Sequence, residues 1–312
     1  MTEFGFIESL RTLCADLPPG GFEGIGDDCA VLPLDDGQAL VFTADLLTEG
    51  VHFLREATTP EELGAKALAV NLSDVAAMGA RPVATLLSLA LPPDATDEWA
   101  ARFMQGYHAL SARYGTALVG GDTTRSEHGI TLNVTAIGRA DEKHLKRRSA
   151  AREGDILLVT GPLGASGAGL RDILAGRYDT PLAALHRSPL PQVAEGQWLG
   201  TRREVHAMMD LSDGLASDVR HIMEQSGTGA AIELTQIPVA EGSDLRTAAC
   251  GGEDYQLLLT AAPEAAEKLT ADFAQRFGAP LYPVGRIEPG DGLRWLRDGA
   301  ETELDWRGFT HY

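Results

Sequence analysis

The chain has 312 residues, long enough for two domains, and its 44% hydrophobic content allows ordinary globular cores. A formal net charge of −19 and a pI near 4.7 argue against nucleic acid or an anionic membrane surface as the main partner. No apolar run approaches the ~20 residues of a membrane span, and Met1-Thr2-Glu3-Phe4 has neither a basic region nor a signal-like apolar segment, so a cytoplasmic protein is the economical reading.

Residues 3–14 read as a short helix, ended by Asp16 and Pro18-Pro19-Gly20-Gly21. Gly24-Ile25-Gly26-Asp27-Asp28 follows, with Cys29-Ala30-Val31-Leu32 straight after. Two unit charges ~4 Å apart at an effective dielectric of ~20 cost about 4 kcal/mol. Such an acidic pair is either solvated on a loop or met by a counter-charge. Gln38 to Ala44 reads as a buried strand running into Asp45, and Gly50-Val51-His52-Phe53 closes the next turn.

Thr59-Pro60-Glu61-Glu62 is a helix start: Thr59 can cap, Pro60 suits the first helical position and Glu62 completes a capping box. The helix is predicted to run through Leu63 to Met78 and to stop at Gly79, with Pro82 beyond. Its residues are small or apolar nearly all round, which is the pattern of a buried helix. Asp74 falls on the stripe of Leu63, Ala67, Val70 and Met78. An ionised carboxylate there must be paired or bind metal; the bland alternative is a buried, protonated or N–H-bonded Asp.

Val83 to Leu91 reads as another buried strand. Residues 96–114 form an amphipathic helix whose Trp99, Phe103, Tyr107 and Leu110 read as core rather than as a cofactor box. Ala117-Leu118-Val119 leads into Gly120-Gly121-Asp122-Thr123-Thr124, and Thr131 to Ile137 alternates as a strand. The basic run Lys143-His144-Leu145-Lys146-Arg147-Arg148 is either a solvated linker or a source of phosphate contacts. The domain boundary is placed near residues 139–150, dividing 1–140 from 141–312.

Asp155 to Thr160 opens the second unit as a strand. Gly161-Pro162-Leu163-Gly164-Ala165-Ser166-Gly167-Ala168-Gly169 has no Lys-Ser/Thr ending and does not fit GxGxxG, so helix packing and a helix N-terminus explain it. Residues 191–199 read as helix. Ala207-Met208-Met209-Asp210-Leu211-Ser212-Asp213-Gly214 reads as a strand end before a helix that runs to Glu224. Asp213 also suits an N-cap there. Ala230 to Leu234 is a strand. Gly251-Gly252-Glu253-Asp254-Tyr255 precedes a strand from Gln256 to Thr260, and a helix at 263–277, a strand at 281–287 and a short tail end the chain. Helices alternate with strands in both halves, which predicts α/β or α+β domains.

Asp28, Asp45, Asp74, Asp122, Asp210 and Asp213 each sit beside apolar runs and small residues, where strands or helices would end. Gathered together they need a counter-charge, and a divalent cation with oxygen ligands, Mg²⁺ in particular, suits them. No Ser-His-Asp or Cys-His arrangement is recognisable, so no catalytic group beyond metal-assisted positioning is singled out. Cys14, Cys29 and Cys250 are few, odd in number and without a CxxC pair, so neither a disulfide framework nor a zinc site is indicated.

Six blocks occur in order: Gly24 to Asp28, Glu49-Gly50-Val51-His52-Phe53, Ala69-Val70-Asn71-Leu72-Ser73-Asp74-Val75-Ala76-Ala77-Met78-Gly79-Ala80, Gly120 to Thr124, Asp210 to Leu215, and Gly251 to Tyr255. Together they resemble the thiamine-monophosphate kinases, over nearly the whole chain down to Asp305-Trp306-Arg307-Gly308-Phe309. The wider superfamily includes aminoimidazole ribonucleotide synthetase, selenophosphate synthetase and a hydrogenase maturation factor.

The resemblance implies a two-domain aminoimidazole ribonucleotide synthetase-like fold. Its N-terminal α/β domain builds an intersubunit β-barrel in a homodimer, and its C-terminal α/β domain closes over the site. It implies transfer of the ATP γ-phosphoryl to thiamine monophosphate with several Mg²⁺ ions. By position, Asp28, Asp45, Asp74, Asp122, Asp210 and Asp213 match the family's magnesium carboxylates, with Thr43 as a hydroxyl ligand. Ala44, where the family often has Thr, could offer only its carbonyl. Tyr107, Gly121, Asp122, Arg148 and Ser212 match ATP contacts, and His52, Glu253 and Phe309 match positions that hold the thiamine phosphate. Asp27 is either a ligand or an orienting group. Two rival readings stand beside this one: another ATP-dependent synthetase of the superfamily, working through a phosphorylated acyl or formyl intermediate, and a non-enzymatic acidic metal- or nucleotide-binding protein.

Overall fold

The structure is a computed structural model that describes residues 3–15 and 20–309; Asp16, Pro18 and Pro19, expected to end the first helix, lie outside the described residues. That helix, α1, spans Glu3–Leu13. A first sheet is built from β1 (Ala30–Pro33), β2 (Gln38–Thr48), β3 (Arg81–Leu91), β4 (Ala117–Arg125) and β5 (Thr131–Asp141). Its order is β1-β2-β5-β3-β4, antiparallel except where β4 runs parallel to β3.

The second sheet holds β6 (Ile156–Val159), β7 (Val205–Asp210), β8 (Gly229–Glu233), β9 (Leu257–Ala261), β10 (Tyr282–Glu288), β11 (Leu293–Arg297) and β12 (Ala300–Thr302). Its order is β12-β11-β8-β10-β6-β9-β7, with only β8 and β11 parallel.

The helix α2 (Pro60–Ala77) lies between the two sheets. Thr59 accepts the Glu62 N–H, and the Glu62 carboxylate takes the Thr59 N–H, so the predicted capping box forms. Leu63, Ala67, Leu68, Leu72, Val75 and Ala76 are at most 2% exposed. Burial of each leucine contributes roughly 1.5–3 kcal/mol. One side of the helix packs on β2 and β5, and the other meets β7 and α6 (Val193–Gly200).

The helix α3 (Asp97–Tyr114) crosses α2 with the two backbones almost touching. A Cβ on Gly64 would stand 2.0 Å from the Phe103 carbonyl oxygen, and one on Gly106 would stand 1.9 Å from that of Glu61. Trp99 stacks on Phe103, with centroids 5.5 Å apart, and Phe103 and Tyr107 are buried, as the amphipathic pattern predicts.

Four places depart from the sequence reading. β2 continues to Thr48, so Asp45 sits inside a strand rather than at its end. β4 runs straight through Gly120-Gly121-Asp122-Thr123-Thr124. Glycine there serves close approach and not a turn: at φ 148° a Cβ on Gly121 would lie 1.7 Å from the Leu87 carbonyl oxygen. The tail holds the hairpin β11–β12, closed by Asp298 (φ 53°) and Gly299 (φ 78°). Asp-Gly is a strong hairpin signal, masked here by the charge of the strands around it. Finally, α5 (Pro181–Arg187) and α8 (Leu245–Cys250) are helices too short to show a periodic pattern. The remaining helices are α4 (Ala165–Leu174), α7 (Leu215–Ser226) and α9 (Pro263–Phe277).

One face of the first sheet is packed against α2 and α3, and the other, among the described residues, is largely open, with Phe22 packed on Phe42 at one end. Leu46 and Leu86 stand exposed on that open face, and β4, its edge strand, is exposed at every residue, with Val119 62% exposed.

Candidate active site

Strand alternation aims Thr43 and Asp45 from β2 toward α2 and turns Ala44 to the open face. On α2, Asn71 and Asp74 are three residues apart and share the side that meets them. The Asn71 side-chain oxygen accepts the Asp45 N–H at 3.0 Å, and Thr43 donates its hydroxyl to Asp74. Ser73 faces the other sheet and donates to Asp210 at the end of β7, at 2.5 Å.

Asp28 arrives from the glycine-rich loop ahead of β1. Gln225 and Arg148 both donate to the Gly26 carbonyl, and the Arg148 N–H donates to Asp27 Oδ1 at 2.7 Å. Asp27 therefore anchors the loop. The second half of the basic run makes specific contacts, while Lys143 stays solvent-exposed. Lys146 Nζ donates to the carbonyls of Arg202 and Val205, both at 2.7 Å, Arg147 pairs with Glu23, and Arg148 Nη2 donates to Asp28 Oδ1 at 2.6 Å.

Ligand oxygens of Asp28, Asp74 and Asp210 all lie within 4.8 Å of one another. Burial, then the charge of Asp28, pushes Asp45 up to about 6 and Asp210 up to about 8. Burial and the charges of Asp45, Asp210 and Asp28 hold Asp74 well above the carboxylate range. Asp28 Oδ2 is buried with no hydrogen-bond partner. Converging oxygen donors, one of them orphaned, fit a hard divalent cation.

Asp213 falls in a second group, with Asp218 and His221, whose ligand atoms are likewise within 4.8 Å of one another. It does not cap α7, whose N-cap is Gly214. Instead Asp218 reaches back to accept the N–H groups of Asp213 at 3.2 Å and Gly214 at 3.0 Å, which fixes the loop. Ser212 lies in that loop, and its carbonyl accepts the Glu253 N–H at 2.7 Å. Phe309 donates its N–H to the Asp213 carbonyl at 2.9 Å, so the exposed ring of the tail stands beside the same loop.

Three expected residues, Gly121, Asp122 and Tyr107, are not brought to these groups within one chain. Asp122 is exposed on β4, in register with Ser88, and through it with Asn133 and Leu46, on the open face. It is three strand spacings from β2, roughly 14 Å at ~4.8 Å each, and on the opposite face from Asp45. Tyr107 is buried in the core, with its hydroxyl on Thr85 Oγ1 at 2.7 Å. The Gly-rich segment offers no vacant helix N-terminus, because the Asp254 carboxylate takes the N–H groups of Gly164 and Ser166 there.

His52 and Glu253 are drawn together by Lys66. Its ammonium donates to the His52 carbonyl at 3.1 Å and to Glu253 Oε2 at 3.0 Å. His52 accepts the Thr48 N–H on Nδ1 at 3.0 Å.

Residues 26–140 match the family model for the AIR synthase related protein N-terminal domain, and residues 152–296 match the one for the C-terminal domain. The chain is 38% identical over 305 residues to a thiamine-monophosphate kinase of Salmonella typhimurium, covering 93% of this chain and 91% of that one. It is 39% identical over 308 residues to that of Escherichia coli K12, with the same coverage. Among solved structures, AaThiL complexed with AMPPCP and TMP superposes with a TM-score of 0.85 at 31% identity, covering 100% of this chain and 97% of that one. The chain belongs to the thiamine-monophosphate kinase family. It is an enzyme of the kinase class, with the two-part, mixed-sheet fold of the AIR synthase related proteins. No helix among the described residues is long and apolar enough to cross a membrane.

For this member of the kinase family, the site holds groups that the sequence reading passes over: Lys66, Ser73, Asp218 and His186. Lys66 and Ser73 are seven residues apart, two helical turns, so both face the second sheet while Asn71 and Asp74 face the first. A lone lysine in a helix apolar all round is itself a signal, since a buried ammonium needs a partner.

Proposed function

We propose that this chain transfers the γ-phosphoryl group of ATP to thiamine monophosphate, giving thiamine diphosphate and ADP, by direct in-line displacement. The observation that carries the proposal is the convergence of Asp28, Asp74 and Asp210, with Asp45 beside them, in a buried cluster where one Asp28 oxygen has no hydrogen-bond partner. The names of the relatives, and the AMPPCP and TMP bound by AaThiL, support the choice of substrates.

Mg²⁺ ions held by Asp28, Asp45, Asp74 and Asp210, with Thr43, the Ala44 carbonyl and Asp213 nearby, would neutralise two anionic phosphates that an acidic protein alone would repel. The attacking oxygen belongs to a phosphate already ionised at neutral pH. It forms a bond to the γ-phosphorus as the bond to the bridging oxygen breaks, so no strong general base is needed and positioning does most of the work. In this reading Arg148 and Ser212 line the ATP side, and His52, Glu253 and Phe309 hold the acceptor. The aromatic face of Phe309 would favour a cationic thiazolium.

Residues 1–140 and 141–312 are read as two domains of a cytoplasmic enzyme. A second copy would cover the open sheet face, joining strands of both chains into a barrel. Gly121, Asp122 and Tyr107 can enter the ATP side only through that dimer or through movement of their strand and helix. The test is incubation with ATP, Mg²⁺ and thiamine monophosphate. Thiamine diphosphate in stoichiometric balance with ADP is expected; ADP without it would return the chain to the synthetase reading.

A further inference from the structure

We infer that Lys66 is a positioning residue for the acceptor: its ammonium ties the His52 turn to Glu253 and so sets the spacing of two groups that hold thiamine monophosphate. The inference rests on the function proposed above and adds a residue that neither the motifs nor the family comparison singles out.

The Lys66 side chain is 1% exposed, on the N-terminal half of α2. Packing does not explain a charge there, since an apolar residue of that volume would fill the space without desolvating an ammonium. What the ammonium does is make two directed bonds, to the His52 carbonyl at 3.1 Å and to Glu253 Oε2 at 3.0 Å. One partner belongs to the turn after β2 and the other to the loop before β9, so the contact joins the two halves of the chain.

Glu253 is held for a purpose other than packing. It adopts φ 63°, a left-handed conformation that costs a side-chain-bearing residue free energy and persists only where the surroundings over-determine it. Its N–H is fixed on the Ser212 carbonyl at 2.7 Å. Its carboxylate is 3.3 Å from His186 Nδ1, and that nitrogen is 2.8 Å from Ser166 Oγ. Burial, then the charge of Lys66, pushes His186 down to about 4, so at neutral pH it orients Glu253 without lending charge. Burial alone would raise Glu253, but the Lys66 ammonium foremost holds it below its ordinary value. The carboxylate thus stays ionised and aimed, which suits an acceptor that carries a cationic ring. Arg187 and Glu62 make a second cross-contact beside it, at 2.9 Å.

The test is steady-state kinetics of the full chain with ATP, Mg²⁺ and thiamine monophosphate, using Lys66→Met, Lys66→Arg, Glu253→Gln and the Lys66→Met/Glu253→Gln double variant. Lys66→Met is expected to raise the acceptor KM by roughly tenfold or more while the ATP KM stays within about twofold. Lys66→Arg should recover part of the loss. The double variant should have the acceptor KM of Glu253→Gln alone, because the two residues act as a unit. It also removes the orphaned carboxylate, so it decides the matter if Lys66→Met does not fold. An unchanged acceptor KM, or equal losses for ATP and acceptor with a lowered Tm, overturns the inference and leaves the function standing. A wild-type chain that makes no thiamine diphosphate overturns both.

Discussion

Arg148 Nη2 donates to Asp28 Oδ1 at 2.6 Å, and the Asp28 side chain is 1% exposed. A guanidinium thus supplies positive charge at the edge of a cluster that otherwise gathers carboxylates. The same arrangement makes Arg148 and a divalent cation alternative counter-charges for Asp28. Arg148→Met should lower the unfolding free energy by up to about 3 kcal/mol in the absence of divalent cations, because it leaves a buried carboxylate unpaired. Millimolar Mg²⁺ should recover most of that loss. Denaturant melts with and without Mg²⁺ check it, and an equal loss in both conditions would mean that Arg148 and the cation do not share a partner.

Titration of the cluster gives a second expectation. Burial and the Asp28 charge hold Asp210 at about 8 and Asp45 at about 6, against an ordinary value of 3.8. A carboxyl whose folded pKa is raised contributes stability that is complete below the unfolded value and is lost as pH rises through the folded value. The metal-free protein should therefore lose stability steadily from about pH 4 to about pH 8. Mg²⁺ binding at pH 7 should release protons from both Asp210 and Asp74, since a ligand must ionise to bind. Proton release in weak buffer and melting curves across pH check both parts. A melting temperature indifferent to Mg²⁺ at every pH would remove the cation from the site.

Asp74→Asn separates function from stability. The introduced amide can still accept the Thr43 hydroxyl, and the substitution removes a charge that its neighbours already disfavour. The variant is expected to melt at the wild-type temperature or above it in chelator, and to lose at least about a hundredfold in kcat/KM. A binding protein would lose only part of its cation affinity. Retained turnover in a folded Asp74→Asn would exclude Asp74 from the phosphate-bridging set.

Much of this site is legible in the sequence because its residues act through local rules. The Thr59–Glu62 capping box, the all-round apolar α2 and the Asp74 stripe follow from short spacings, and the structure reproduces each. Groups that depend on distant partners are not legible. Lys66 meets Glu253 and Ser73 meets Asp210 only because two sheets pack on opposite sides of α2. Asp213 has the spacing of a cap, but Asp218 takes over the loop from five residues further on. Asp122 reads in sequence as one more member of a single cluster. Strand register puts it on the far face, and no spacing rule within one chain carries that information.

That far face is the ground for the last expectation. β4 presents an unpaired edge exposed along all of Ala117–Arg125, with Val119 62% and Leu118 40% exposed, and Leu46 and Leu86 continue the apolar surface onto the open sheet. Natural edges of this kind are usually short, charged or covered, because an open apolar edge recruits other strands. β4 carries only Asp122 and Arg125 as charges, so a covering partner is the simpler solution. A second copy of the chain is expected there, giving twice the 33.2 kDa of the chain by light scattering. Val119→Asp should shift the population toward monomer, since it places a charge in the buried centre of the joined sheets. If Asp122 acts in the assembled site, kcat/KM should fall in step with the monomer fraction. The spectroscopic signature of the fold should meanwhile remain unchanged. A wild-type chain that stays monomeric at tens of micromolar, with full activity, would leave β4 as an ordinary exposed edge and Asp122 without a role.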